Sequence, residues 1–114
     1  MTKRTLTQRL LAQLEPGDTV ERCGLVVNGK VRELKNIHLD PAKGFRIDPA
    51  QLLKYVGKAT ATWHTHPFSS PDLSEEDYAG FSQWPQLVHH IVGYRDGVPS
   101  LQSYAVDDGL VVNL

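Results

Sequence analysis

The sequence predicts an α+β fold, a mixed β-sheet flanked by helices. Two observations predict it. Stretches with a helical apolar repeat are interspersed with short runs of β-branched and small residues, so both element types share the chain. The runs are joined by hairpins as well as by helices, without strict βαβ alternation. At 114 residues, 40% hydrophobic and 22% charged, the chain fits a single domain, 1–114, with a core of its own.

Leu6, Leu10 and Leu14 recur every four residues and predict a first helix over Thr5–Leu14, ended by Glu15-Pro16-Gly17-Asp18. Val20–Val27 reads as a strand. Asn28-Gly29 is a two-residue hairpin turn, and Val31–Ile37 the return strand. A loop over Asp40–Gly44 leads to a short strand, Phe45–Ile47. Asp48-Pro49 opens a second helix with Leu52, Leu53 and Val56 as its apolar face and Gly57 at its end. Ala59–Trp63 is a strand and Phe68–Leu73 a loop. A third helix begins at Ser74, carries Tyr78 and Phe81 on one face, and stops at Trp84-Pro85. Leu87–Tyr94, Leu101–Val106 and Leu110–Val112 are the late strands, the first two separated by a turn at Arg95-Asp96-Gly97.

Composition excludes several function classes. A net charge of −1 does not supply the basic face that phosphate contacts require, so no nucleic-acid partner is expected. No apolar run approaches the ~18–20 residues of a membrane span, so no membrane partner is expected. Met1–Gln8 is polar and lacks a signal-peptide core, and Cys23 is the only cysteine. Both point to a cytoplasmic setting and exclude a multi-cysteine zinc site. Cys23 itself reads as a small buried residue.

The chemistry-bearing residues gather around His64-Thr65-His66-Pro67. On an extended segment His64 and His66 face the same side, as two metal ligands would; two solvated loop histidines are the plainer reading. Asp77, in the first turn of the third helix, is a candidate third ligand. It also completes a helix cap with Ser74. Asp72, Glu75 and Glu76 are rival carboxylates whose plainer role is solvated first-turn charge. Glu21 reads either as an outward-facing strand residue or as a general base beside a metal. His89 and His90 are strand neighbours facing opposite ways, a poor pair for one ion. Trp63 and Trp84 read as core, and His38 as a loop or strand-end residue.

Glu21, then His64-Thr65-His66-Pro67, seven residues from Pro67 to Leu73, then Ser74 and Asp77, resembles the signature of the JAMM (MPN+) zinc metalloproteases. Glu21-Arg22-Cys23-Gly24-Leu25, Asn36–Pro41 and Phe45–Pro49 also resemble the family, so the likeness spans roughly residues 15 to 95. Ser82-Gln83-Trp84-Pro85 resembles an element of its compact prokaryotic and phage tail-assembly members. The resemblance implies a three-layer, cytidine-deaminase-like MPN fold with a curved mixed sheet. It implies one Zn2+ per chain on His64, His66 and Asp77, with Glu21 as general acid/base and Ser74 as oxyanion donor. The implied activity is hydrolysis of a peptide or isopeptide bond. The implied substrate is a protein or peptide: the C-terminus of a ubiquitin-like or sulfur-carrier protein, or a phage tail-assembly protein. It fits a chain acting alone, as a homodimer, or within a longer multidomain protein, in a bacterial or phage-infected cytoplasm. A non-catalytic MPN-type scaffold is the alternative. A zinc deaminase is excluded, because its ligand set needs a Pro-Cys-x-x-Cys that one cysteine cannot provide.

Overall fold

The computed structural model describes residues 4–55 and 57–114. Among the described residues three helices, α1 (Leu6–Leu11), α2 (Pro49–Tyr55) and α3 (Glu75–Ser82), accompany six strands. The strands are β1 (Cys23–Val27), β2 (Lys30–Leu34), β3 (Ala59–Thr65), β4 (Val88–Arg95), β5 (Val98–Asp107) and β6 (Leu110–Asn113). They form one mixed sheet in the order β2-β1-β3-β4-β5-β6. Only β3 and β4 run parallel, and the connection between them carries α3. The α+β class read from the sequence is the one observed.

Alternation along the central strands sorts side chains to two faces. Trp63 and Val92 join Val26, Ala61 and Leu10 of α1 in one buried cluster. Ile91 and Tyr104 join Phe81 of α3 in another. The helices α1 and α3 therefore cover opposite faces of the sheet. The two clusters hold most of the fully buried apolar side chains, each of which contributes roughly 1.5–3 kcal/mol.

Local chemistry explains the elements. Thr5 and Gln8 form a capping box at α1. Asn28 and Gly29 adopt φ of 52° and 75°, the pair of positive values that a tight β1–β2 hairpin requires. Asp48 Oδ1 accepts from the Ala50 amide at 2.9 Å and caps α2. At Gly24 a Cβ would stand 1.9 Å from the Arg32 carbonyl oxygen and 2.7 Å from Trp63 Nε1, so glycine alone fits between β2 and the core tryptophan.

Several expectations need correction. The first helix stops at Leu11; Gln13 and Leu14 bond three residues back in a tighter turn, although Leu14 still packs on the core. The first strand starts at Cys23, not Val20. The Glu21 amide donates to the Pro41 carbonyl, so the backbone ahead of β1 is tied to the loop beyond β2 and not to a sheet partner. Phe45–Ile47 is not a strand: a single bridge, Asn36 to Ile47, is all that pairs there. On α2, Leu52 is half-buried and Leu53 is 73% exposed, so the expected apolar face is not packed; Val56 lies outside the described residues. On α3 the buried pair is Asp77 and Phe81, one helical turn apart, and Tyr78 lies at the surface.

Candidate metal centre

His64 and His66 sit at the end of β3, where the strand leaves the sheet. Thr65, between them, faces away: its hydroxyl accepts from the Arg22 amide at 2.9 Å. The two imidazoles consequently share a side, with their Nε2 atoms 3.2 Å apart. Asp77 reaches both from the first turn of α3. Its Oδ1 lies 3.1 Å from His64 Nε2 and its Oδ2 3.2 Å from His66 Nε2.

The support for each group is specific. Ser74 caps α3: its Oγ accepts from the Asp77 amide at 3.0 Å, and Asp77 Oδ2 accepts from the Ser74 amide at 3.3 Å. The cap and the site therefore use the same carboxylate. Phe45 stacks on the His64 ring at 4.1 Å between centroids, and Phe81 meets it edge-on at 5.9 Å. His66 Nδ1 donates to the Ser70 carbonyl at 2.8 Å. A carbonyl can only accept, so Nδ1 carries a proton and Nε2 is the nitrogen that faces Asp77; a proton there serves the Asp77 bond, and without it the lone pair is available to an ion.

Glu21 closes the remaining side. It is 7% exposed, its Oε1 lies 4.0 Å from His64 Nε2, and that oxygen has no hydrogen-bond partner among the described residues. One atom each from Glu21, His64 and His66 falls within a 4.8 Å sphere of mutual distances, close enough to hold a metal ion. The Asn36 side chain fixes the Glu21 backbone. Its two N–H groups donate to the Glu21 and Gly44 carbonyls, at 2.8 and 3.0 Å. Its oxygen accepts from the His38 and Arg46 amides, both at 3.0 Å.

Burial drives the electrostatics. It pushes the Glu21 carboxyl up to about 7, against the pull of His66. The Asp77 carboxyl is buried too, yet its hydrogen bonds to His64 and His66 hold it well below the usual carboxylate range. Burial pulls His64 down. For His66 the same burial is outweighed by its bonds to Asp77 and Ser70, and its affinity for a proton rises. The site therefore holds one firmly ionised carboxylate and one carboxyl that exchanges protons near neutrality.

A tetrahedral zinc ion with bonds of ~2.0–2.1 Å holds its ligand atoms roughly 3.3–3.4 Å apart. The His64 and His66 nitrogens stand 3.2 Å apart, near that spacing, and each faces a different oxygen of Asp77, at 3.1 and 3.2 Å. Two imidazoles and a carboxylate are donor types that such an ion accepts.

Other candidates fall outside the site. Asp72 pairs with Arg95 at 2.9 Å on the surface, and Glu75 is exposed. Glu76 Oε1 lies 2.6 Å from His38 Nε2, so both are engaged rather than simply solvated. Because His38 Nδ1 accepts from the Asp40 amide, Nε2 is the nitrogen that donates to Glu76. This contact joins the loop beyond β2 to α3 along the rim. His89 and His90 face opposite ways, as expected. His89 donates through Nε2 to the Trp84 carbonyl and lies 2.7 Å from Thr62 Oγ1, and burial holds it neutral, down to about 4. Cys23 is fully buried, and burial pushes its thiol up to about 12. Trp63 is core, but Trp84 is only half-buried. It lines an apolar cleft of about 1010 Å³ beside the centre, together with Phe45, Leu52 and Leu53.

Sequence reasoning did not find Asn36, Phe45 or the Ser70 carbonyl. The first two lay in segments read as strand and as part of the family resemblance, with no role at the site given to either, and a backbone carbonyl carries no residue signal.

No protein-family profile and no curated protein matches the sequence. The fold does match solved structures. The solution structure of a Desulfitobacterium hafniense protein aligns with a TM-score of 0.69 at 21% identity, over 93% of this chain and 83% of that one. A Salinibacter ruber protein, also solved in solution, aligns with a TM-score of 0.56 at 15% identity, over 96% and 84%. At these identities the likeness is one of fold. No helix among the described residues is long and apolar enough to cross a membrane.

Proposed function

We propose that the chain is a zinc-dependent metallopeptidase or isopeptidase of the JAMM (MPN+) kind. One observation carries the reading. Two imidazole nitrogens and the Asp77 carboxylate converge at 3.1–3.2 Å beside a buried Glu21 oxygen that has no partner. A structural histidine–aspartate cluster explains the convergence but leaves the unpaired carboxyl unexplained. The sequence pattern that resembles the family falls on these same residues.

In this reading His64, His66 and Asp77 hold the zinc. When bound, zinc supplies Lewis acidity, which acidifies water and polarises a carbonyl. Glu21 takes the proton of the attacking water and returns it to the leaving amine. In the same reading Ser74 donates to the developing oxyanion. Its Oγ uses a lone pair in the helix cap, which leaves the hydroxyl proton free. The buried setting of His64 and Glu21 strengthens these interactions by excluding water.

The substrate class is a protein or peptide, with the C-terminus of a ubiquitin-like or sulfur-carrier protein, or a tail-assembly protein, as the leading choices. The test is a panel of ubiquitin-like proteins carrying short C-terminal extensions, incubated with the chain plus zinc and again after chelation. Cleavage of at least one member that is lost on chelation and restored by zinc is the expected result. Zinc binding with no cleavage anywhere in the panel, with extended peptides included, favours the non-catalytic scaffold.

A further inference from the structure

Residues 67–73 form neither helix nor strand, yet they are held at four places. The Tyr94 amide donates to the Ser69 carbonyl at 2.9 Å, and the Tyr104 hydroxyl to the Pro71 carbonyl at 3.0 Å. Arg95 pairs with Asp72, which also accepts from the Ser70 hydroxyl at 2.8 Å. The fourth bond is the one from His66 Nδ1 to the Ser70 carbonyl. β3 pairs with β4 as far as Thr65 and Val92, and beyond that point the loop takes over its place alongside β4.

Gly93 lies under this loop. It shares a face of β4 with His89 and Ile91, the face that α3 covers. A Cβ built there would stand 2.5 Å from the Ser69 carbonyl oxygen, 2.8 Å from the Pro71 nitrogen and 2.8 Å from the Ser70 carbonyl carbon. All three are backbone atoms, so no side chain can swing aside. Gly93 is not among the glycines with positive φ, so its backbone suits any L-residue. The position requires glycine for space and not for conformation.

We propose that Gly93 is a positioning residue for the metal centre. Its missing side chain lets residues 69–71 settle on β4, which sets the Ser70 carbonyl against His66 Nδ1 and turns the Nε2 lone pair toward the ion. The inference rests on the zinc reading above. Alanine at 93 lifts the loop and releases His66 to rotate or change tautomer, while the His64–Asp77 contact and the α3 cap do not touch position 93.

The experiment uses the full chain. Zinc affinity is measured by competition with a chromogenic chelator, and the imidazole nitrogens are followed by 15N NMR. Gly93→Ala is expected to weaken zinc binding by about 10–100-fold, the range for loss of an outer partner of a ligating histidine. His66 is expected to lose its Nδ1–H signature, with the rest of the spectrum folded. Tyr104→Phe removes one anchor of the same loop and is expected to cost about two- to tenfold. It carries the test if the alanine variant does not fold. Gly80→Ala, where a Cβ meets nothing within 4 Å, serves as the control and keeps parental affinity. A folded Gly93→Ala chain with parental affinity and parental His66 tautomer overturns the inference alone, as does parental affinity in Tyr104→Phe when Gly93→Ala is unfolded. A parent chain that takes up no zinc overturns the reading beneath it, and the inference with it.

Discussion

Glu21→Gln is expected to lower cleavage of any responsive substrate by about 10²–10⁴-fold or more while zinc uptake stays parental. The amide has the shape of the carboxyl but cannot accept the water's proton. The three residues proposed to hold zinc, His64, His66 and Asp77, are unchanged by the substitution. A second effect runs the other way. Burial raises the Glu21 carboxyl from 4.5 to about 7, so in the metal-free folded chain it holds its proton more tightly than in the unfolded one. The folded state is therefore unpenalised below pH 4.5 and loses stability as pH rises through 7, by at most about 3 kcal/mol. Glutamine never ionises. Above pH 7 the metal-free variant should be the more stable chain, and the advantage should fade toward pH 4.5. Chemical denaturation across this range, with chelator present, measures it. A variant that loses activity but gains no stability at high pH would show that Glu21 is paired in some way the structure does not display.

Asp77→Asn is expected to have the larger effect on zinc. It removes the one firmly anionic member of the proposed ligand set, so affinity should fall by more than the ~10–100-fold cost of an outer partner. It should also weaken the metal-free chain. Asp77 is 5% exposed and bonded to both imidazoles, and removing one partner of such a buried cluster costs roughly 3–5 kcal/mol. Its carboxyl is held below the ordinary value, so this stabilisation is present above about pH 4 and is lost as pH falls further. The gap between parent and variant should therefore be full at pH 7 and close in acid. Glu75→Gln, an exposed carboxylate in the same helical turn, should change neither zinc affinity nor this gap. Equal zinc affinity for Asp77→Asn and the parent would remove Asp77 from the ligand set.

What the sequence disclosed follows from which interactions are local. Asn28-Gly29, the Ser74–Asp77 cap and the spacing of the histidines are short-range features, and each stands where the sequence put it. The His64–His66 pairing needed only strand geometry. Glu21 was identified as a site residue but misplaced in its element, because its backbone bonds go to Pro41 and Asn36, partners distant in sequence. The clamp made by Asn36, the stacking of Phe45 on His64 and the His38–Glu76 contact depend on the same loop folding back over β1 and α3. Periodicity has no access to such contacts. Trp84 shows the converse: an aromatic residue read as core stands half-exposed along the cleft that Leu52 and Leu53 of α2 also line.

The convergence of His64, His66 and Asp77 becomes a metal centre only if the chain takes up an ion there. The direct measurement is zinc stoichiometry and affinity by native mass spectrometry and chelator competition, on the parent and on His64→Ala, His66→Ala and Asp77→Asn. The account predicts one tightly held zinc per parent chain, retained in Glu21→Gln and lost or greatly weakened in each of the three ligand variants. A parent chain that stays metal-free with zinc in excess, or zinc that remains equally bound when all three ligands are replaced, would contradict it.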